Sequence, residues 1–189
     1  MKKFLRILLF LFILQVQICQ ANGQTGLLII APAEFKTQDF FNIAKQEFGE
    51  NYIISQNTQD AWAEFCWNND IIDSDPQITK QVLHDFTVST DFEKIVFLIF
   101  KDANSTTEEL GRSYYGRPSI FGGWAKNHKR HRSHLDIRVI VMDKDGQTAK
   151  IFEEAYSDTS KGSEERANRY AFKKICQNIH ERLKNTADE

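Results

Sequence analysis

Six consecutive residues, Ile95-Val96-Phe97-Leu98-Ile99-Phe100, are all β-branched, leucine or aromatic, and they constrain the fold more than any other feature of the chain. Successive strand residues point to opposite faces of a sheet. Here both alternating sets are apolar, so the segment reads as a strand lying mid-sheet and covered on both faces. A second run of this kind, GLLIIA at residues 26–31, stops at Pro32 and reads as another inner strand.

The material around these strands is helical in pattern. Phe41, Ala44 and Phe48 recur at helical spacing beside Phe40 and Ile43, and Gly49 follows where a helix would close. Tyr52-Ile53-Ile54 reads as a short strand. Asn57 with Asp60 resembles a capping box opening a helix that carries Trp62, Phe65 and Cys66. Asp75-Pro76 predicts the start of a third helix, with Ile78, Val82 and Phe86 on one stripe.

Beyond Phe100, Leu135, Ile137, Val139 and Val141 alternate with Asp136 and Arg138, and Asp143-Lys144-Asp145-Gly146 turns the chain. The Asp-Gly step supplies the positive φ that tight hairpin turns require, so a β-hairpin is predicted at about 135–157. Ser163-Glu164-Glu165 opens a closing helix with Ala167, Ala171, Ile175, Ile179 and Leu183 on one stripe, and Phe172 and Cys176 beside it. The fold class is α+β: a single domain over residues 25–185, with a mixed sheet, amphipathic helices packed against it, the hairpin and a C-terminal helix.

The start of the chain points to export. Lys2, Lys3 and Arg6 precede or interrupt an apolar run from Phe4 to Leu14, and Cys19-Gln20-Ala21 follows, the pattern of a signal peptide over 1–21 cut after Ala21. The run is too short for a comfortable membrane helix, and no transmembrane segment is expected once the leader is removed. Bulky Ile18 before Cys19 fits a lipid-attachment site poorly. Loss of the three leader cations takes the formal charge from -2 to -5. An acidic domain of roughly 165 residues argues against a general nucleic-acid binder, and periplasm or cell envelope is the expected address.

The strand GLLIIAP, the segment DFEKIVFLIF, the LDIRVIVMDKDGQTAKIFEEAY hairpin and the closing amphipathic helix together resemble small exported bacterial envelope proteins of the TolB amino-terminal-domain and curli-secretion lipoprotein group. The resemblance spans nearly the whole chain after the leader. It implies an accessory or binding role in the envelope and carries no catalytic residue across. This chain departs from the group in its poor lipid-attachment site and in a basic middle segment.

That segment is the candidate site. Between Glu109 and Asp136 there is no acidic residue, yet Arg112, Arg117, Lys126, Lys129, Arg130 and Arg132 fall there, with Tyr114, Tyr115, Phe121 and Trp124 among them. Clustered guanidinium and ammonium groups attract phosphate or carboxylate, and Trp124 and its aromatic neighbours can bury apolar parts of a ligand. The partners this chemistry fits are anionic lipid, lipopolysaccharide, a cell-wall polymer or an acidic envelope protein. The competing reading is a solvated hairpin or loop whose cations balance acids elsewhere in the fold.

Other clusters carry less. His128, His131 and His134 would not converge on a strand, because His131 would face away from the other two, and neighbouring Lys129, Arg130 and Arg132 repel a cation. Protonation of these histidines would instead strengthen an anion site at low pH. Asp70, Asp73 and Asp75 read as capping residues. Counted from Asp143, Gly146 arrives too early for a calcium loop even though Glu154 falls twelfth. No metal or cofactor is expected. His84-Asp85 are adjacent on a helix and diverge, and no nucleophile-elbow pattern is present. The alternative function is a periplasmic hydrolase whose site is assembled from scattered residues. Cys66 and Cys176 leave two readings open, a disulfide in an oxidising compartment or two buried thiols.

Overall fold

The computed structural model describes residues 24–114 and 125–185, with side chains outside 111–128 and 149. The signal-peptide reading of residues 1–21 lies outside this range. Five strands form one sheet in the order β2-β1-β3-β4-β5: β1 Thr25–Ile30, β2 Tyr52–Ile53, β3 Lys94–Tyr114, β4 Ala125–Asp143 and β5 Thr148–Ser160. β1 pairs in parallel with β2 and β3, while β3, β4 and β5 run antiparallel, so the sheet is mixed. The α+β expectation holds.

Four helices cover the sheet: α1 Gln38–Phe48, α2 Gln56–Asn68, α3 Lys80–Ser89 and α4 Glu164–Asn185. They divide between its faces. On one face Leu27, Ile29, Val96, Leu98 and Phe100 pack with Phe40, Phe48, Phe172 and Ile175 from α1 and α4. On the other, Leu28, Ile30, Ile95, Phe97 and Ile99 pack with Trp62, Leu83 and Phe86 from α2 and α3. This is why residues 27–30 of β1 and 95–100 of β3 are apolar at every position. Neither alternating set meets water.

The two layers are unequal in reach. Under α4, Leu135, Ile137, Val139 and Val141 of β4 are all buried. On the α2/α3 face of the same strand Ile140 and Met142 are buried, and from Arg138 back to Arg130 the even-numbered positions are at least partly exposed, with no helix of the described residues packed on them. Half of that face is open.

Several boundaries differ from the sequence expectation. α2 is capped by Ser55, whose Oγ accepts the Thr58 N–H at 3.1 Å, and α3 by Thr79, whose Oγ1 accepts from Val82 N at 3.4 Å. Asp75 accepts the Gln77 N–H at 2.8 Å in a local turn ahead of α3 and does not cap it. The predicted hairpin is β4–β5, closed by Gly146 at φ +75° with its N–H on Asp143 O at 3.2 Å. The larger difference is length. β3 runs to Tyr114 and β4 begins at Ala125, so they form a ribbon extending past the last rung of β5, His131 opposite Ser160.

Candidate functional site

Register assigns each basic residue to a face. β4 alternates without interruption from Lys129 to Asp143 opposite β3 and β5. Leu135 and Ile137 point to the α4 side, so Ser133, His131 and Lys129 share that side, while His134, Arg132 and Arg130 share the open one. The candidate cations therefore do not form a single patch. Lys129 Nζ lies 3.8 Å from Glu109 Oε1, and Arg132 Nε lies 3.4 Å from Glu108 Oε1 on the other face. Arg112 sits on β3 opposite Asn127, and Lys126 on β4 opposite Ser113. Arg117 and Trp124 lie outside the described residues.

The histidines separate as strand geometry requires. His131 Nδ1 is 2.9 Å from Thr107 Oγ1 on the α4 side, and His134 Nδ1 is 2.8 Å from Ser157 Oγ on the open side. Among the described residues no group of three or more histidines, cysteines or carboxylates is placed to hold a metal ion.

The open side carries a groove of about 350 Å³ lined by Asn104, Thr106, Arg132, Ser133, His134, Ser157, Asp158 and Thr159. Three strands contribute to it. Its hydroxyls, imidazole and guanidinium can donate hydrogen bonds to an oxyanion, while the Asn104 amide donates to Asp102 at 2.7 Å and the Asp158 carboxylate takes the Thr159 N–H. Arg130 continues the basic side of the groove two residues farther along β4, across from Glu108. Sequence reading found Arg130 and Arg132 but missed Thr106, Ser157 and Thr159, which reach the groove only through strand register.

Farther along the open side the charges are paired. Lys101, the extra residue at an irregularity of β3 between Phe100 and Asp102, puts Nζ 2.9 Å from Glu153 Oε2 and 3.3 Å from Asp136 Oδ2. Arg138 Nε is 3.4 Å from Glu153 Oε1. The hydrogen bond to Glu153 is the main cause holding the Lys101 ammonium above its ordinary pKa, and that same lysine is the main cause holding Glu153 below the usual carboxylate range. This cluster neutralises itself.

The cysteines do not form a bridge. Cys66 and Cys176 are both free and buried, Cys66 in the core under α2 and α3 and Cys176 in the core under α1 and α4. The sheet stands between them, so they cannot reach the Cα separation of roughly 4.4 to 6.8 Å that a disulfide needs. Burial, with the Asp73 carboxylate second, pushes the Cys66 thiol up to about 11, and burial raises Cys176 as well. Neither is poised as a nucleophile. The acidic cluster is likewise structural: Asp73 pairs with Lys36 at 2.7 Å, and its carbonyl accepts the Trp62 indole N–H at 3.0 Å. His84 Nδ1 lies 3.5 Å from Asp85 Oδ1, but the far side of the imidazole packs against Gly146.

No family model matches the chain, and no curated protein matches it. Among solved structures it is similar to a crystal structure of a minor lipoprotein from Acinetobacter baumannii, over 86% of this chain and 93% of that one, with a TM-score of 0.36 and 8% identity. A likeness of that size carries no functional argument.

Proposed function

We propose that this chain is an exported cell-envelope binding or accessory module, and that its open sheet face takes an anionic envelope component at Arg130, Arg132 and the adjoining groove. The observation that carries the reading is the shared face. Arg130, Arg132 and His134 stand on the part of β4 that no helix of the described residues covers, beside hydroxyls that can complete an oxyanion's hydrogen bonds. Arg132 is not committed to Glu108: both side chains are about half exposed, and such pairs contribute about 0 to 1 kcal/mol, so a ligand anion can compete. The leader and the resemblance to the TolB amino-terminal-domain and curli-secretion group support the envelope setting.

The test is co-sedimentation of the mature protein with lipopolysaccharide and with phosphatidylglycerol vesicles, repeated with Arg130→Gln/Arg132→Gln and with Lys129→Gln. The double variant is expected to lose most binding and Lys129→Gln to keep it. Equal binding by all three proteins would end the proposal, as would no binding by the parent.

A further inference from the structure

The sheet ends differently on its two sides. At one side β2 has only two residues, and the side-chain amide of Gln59 hydrogen-bonds the backbone of Ile29 in β1. At the other, β5 runs for 13 residues with no strand beyond it among the described residues. Long unpaired edges are templates for another strand, and proteins usually shorten or cover them.

Which backbone groups β5 presents outward follows from one contact. Arg182 of α4 reaches Glu153 O from outside, with Nη1 at 3.0 Å. In an antiparallel ladder a residue turns its N–H and C=O to the same side and its neighbours turn theirs to the other. The odd-numbered residues of β5 thus face away from β4. Arg182 closes the edge at Glu153, and Asp158 Oδ1 accepts the Thr159 N–H at 2.6 Å. Between those two closures Ala155 and Ser157 are exposed and present a donor and an acceptor each. Ser157 and Thr159 are in register with His134 and Arg132 on β4, so side chains added beside them would meet the basic groove.

We infer that the β5 edge at Ala155 and Ser157 is a docking site for an extended acidic segment of a partner protein, which adds to the sheet as a further strand and turns a carboxylate toward Arg132. This rests on the anion-binding reading above and names its partner as a polypeptide. Backbone hydrogen bonds to the edge supply affinity, and alternate side chains supply selectivity. Arg130, Arg132 and His134 face the groove end of this edge, where Glu108 and Asp158 are the carboxylates, and Asp158 is taken up by the Thr159 N–H, so the guanidinium of Arg132 is what an added carboxylate would meet.

The probe is a fluorescein-labelled peptide of alternating glutamate and valine, titrated by anisotropy against the full chain without its leader. Binding is expected, with the amides of Ala155 and Ser157 slowed in hydrogen exchange. A counterpart N-methylated on alternate residues should bind at least about tenfold more weakly, since it loses two or more hydrogen bonds. Ala155→Pro removes only an outward donor, a position where an edge strand tolerates proline, so it should melt near the parent temperature and lose the peptide. Equal binding of the methylated peptide, no binding of the parent peptide, or a dimer that Ala155→Pro dissociates would each overturn the inference. Failure of the peptide alongside Arg132-dependent binding to lipopolysaccharide or vesicles would sink this inference and leave the anion site standing. Failure of every probe would sink both.

Discussion

With its amide assigned the orientation that satisfies both groups, Gln59 pairs with the backbone of Ile29, donating to Ile29 O at 3.0 Å and accepting from Ile29 N at 2.9 Å. It stands where the next strand would be, because β2 is in register only with Thr25 and Gly26 of β1. A helix residue thereby closes a sheet edge. Gln59 is 7% exposed, so water cannot replace it readily.

Gln59→Leu therefore leaves a buried donor and a buried acceptor unpaired. At about 1 to 3 kcal/mol for each stranded group, the variant should lose roughly 2 to 6 kcal/mol. Urea denaturation checks this: the midpoint should fall with the slope unchanged. A loss below about 0.5 kcal/mol, the scale of an ordinary surface substitution, would show that the pairing contributes nothing.

The thiols set a second expectation. Below the ordinary value of 9.0 the Cys66 thiol is protonated in both states, whereas between 9.0 and about 11 it is ionised only when the chain is unfolded. Unfolding in that window releases a proton, so stability falls as pH rises. Cys66→Ala should show a shallower decline of melting temperature across that window than the parent. Below pH 9 reductant should leave the melting temperature unchanged, and an aromatic disulfide reagent should react only as the protein unfolds. A reductant-sensitive melt would contradict two free thiols.

Gly146 carries two constraints at one position. Its φ of +75° disfavours any residue with a Cβ, and a Cβ built there would come 2.8 Å from His84 Nε2. Gly146→Ala should cost about 1 to 2 kcal/mol from the backbone alone, and more from the contact. In a His84→Ala background only the backbone part should remain. Calorimetric melts of the four proteins in this double-mutant cycle check it, and additive effects would mean that the imidazole yields freely.

What was legible in the sequence follows from which residues meet two kinds of surroundings. Ile95 to Phe100 announced a doubly covered strand because both of its faces are buried, and Asp143 with Gly146 announced the turn because few residues tolerate that φ. Residues 101–114 announced nothing. Past the end of β1 pairing at Ile99, β3 continues with mostly polar side chains, and its strand form comes from pairing with β4. The site was hidden for a related reason. Glu108 and Glu109 fall just before the acid-free window in sequence, yet register sets them across from Arg130 and Lys129. Proximity along the chain overstated the charge, and the period of two divided the cations between faces.

Glu108 supplies the remaining prediction. It is the carboxylate nearest Arg132 at 3.4 Å and competes with any ligand anion for the same guanidinium. Glu108→Gln removes that competition without removing a cation, so affinity for lipopolysaccharide or anionic vesicles should rise. An exposed pair contributes at most about 1 kcal/mol, which bounds the gain near fivefold. Glu109→Gln is the control, since Glu109 pairs with Lys129 on the opposite face. It should leave affinity unchanged. Raising ionic strength to 1 M, where screening shortens to about 3 Å, should erase the advantage of Glu108→Gln. If Glu109→Gln strengthens binding as much as Glu108→Gln does, the ligand responds to net charge and not to the open face.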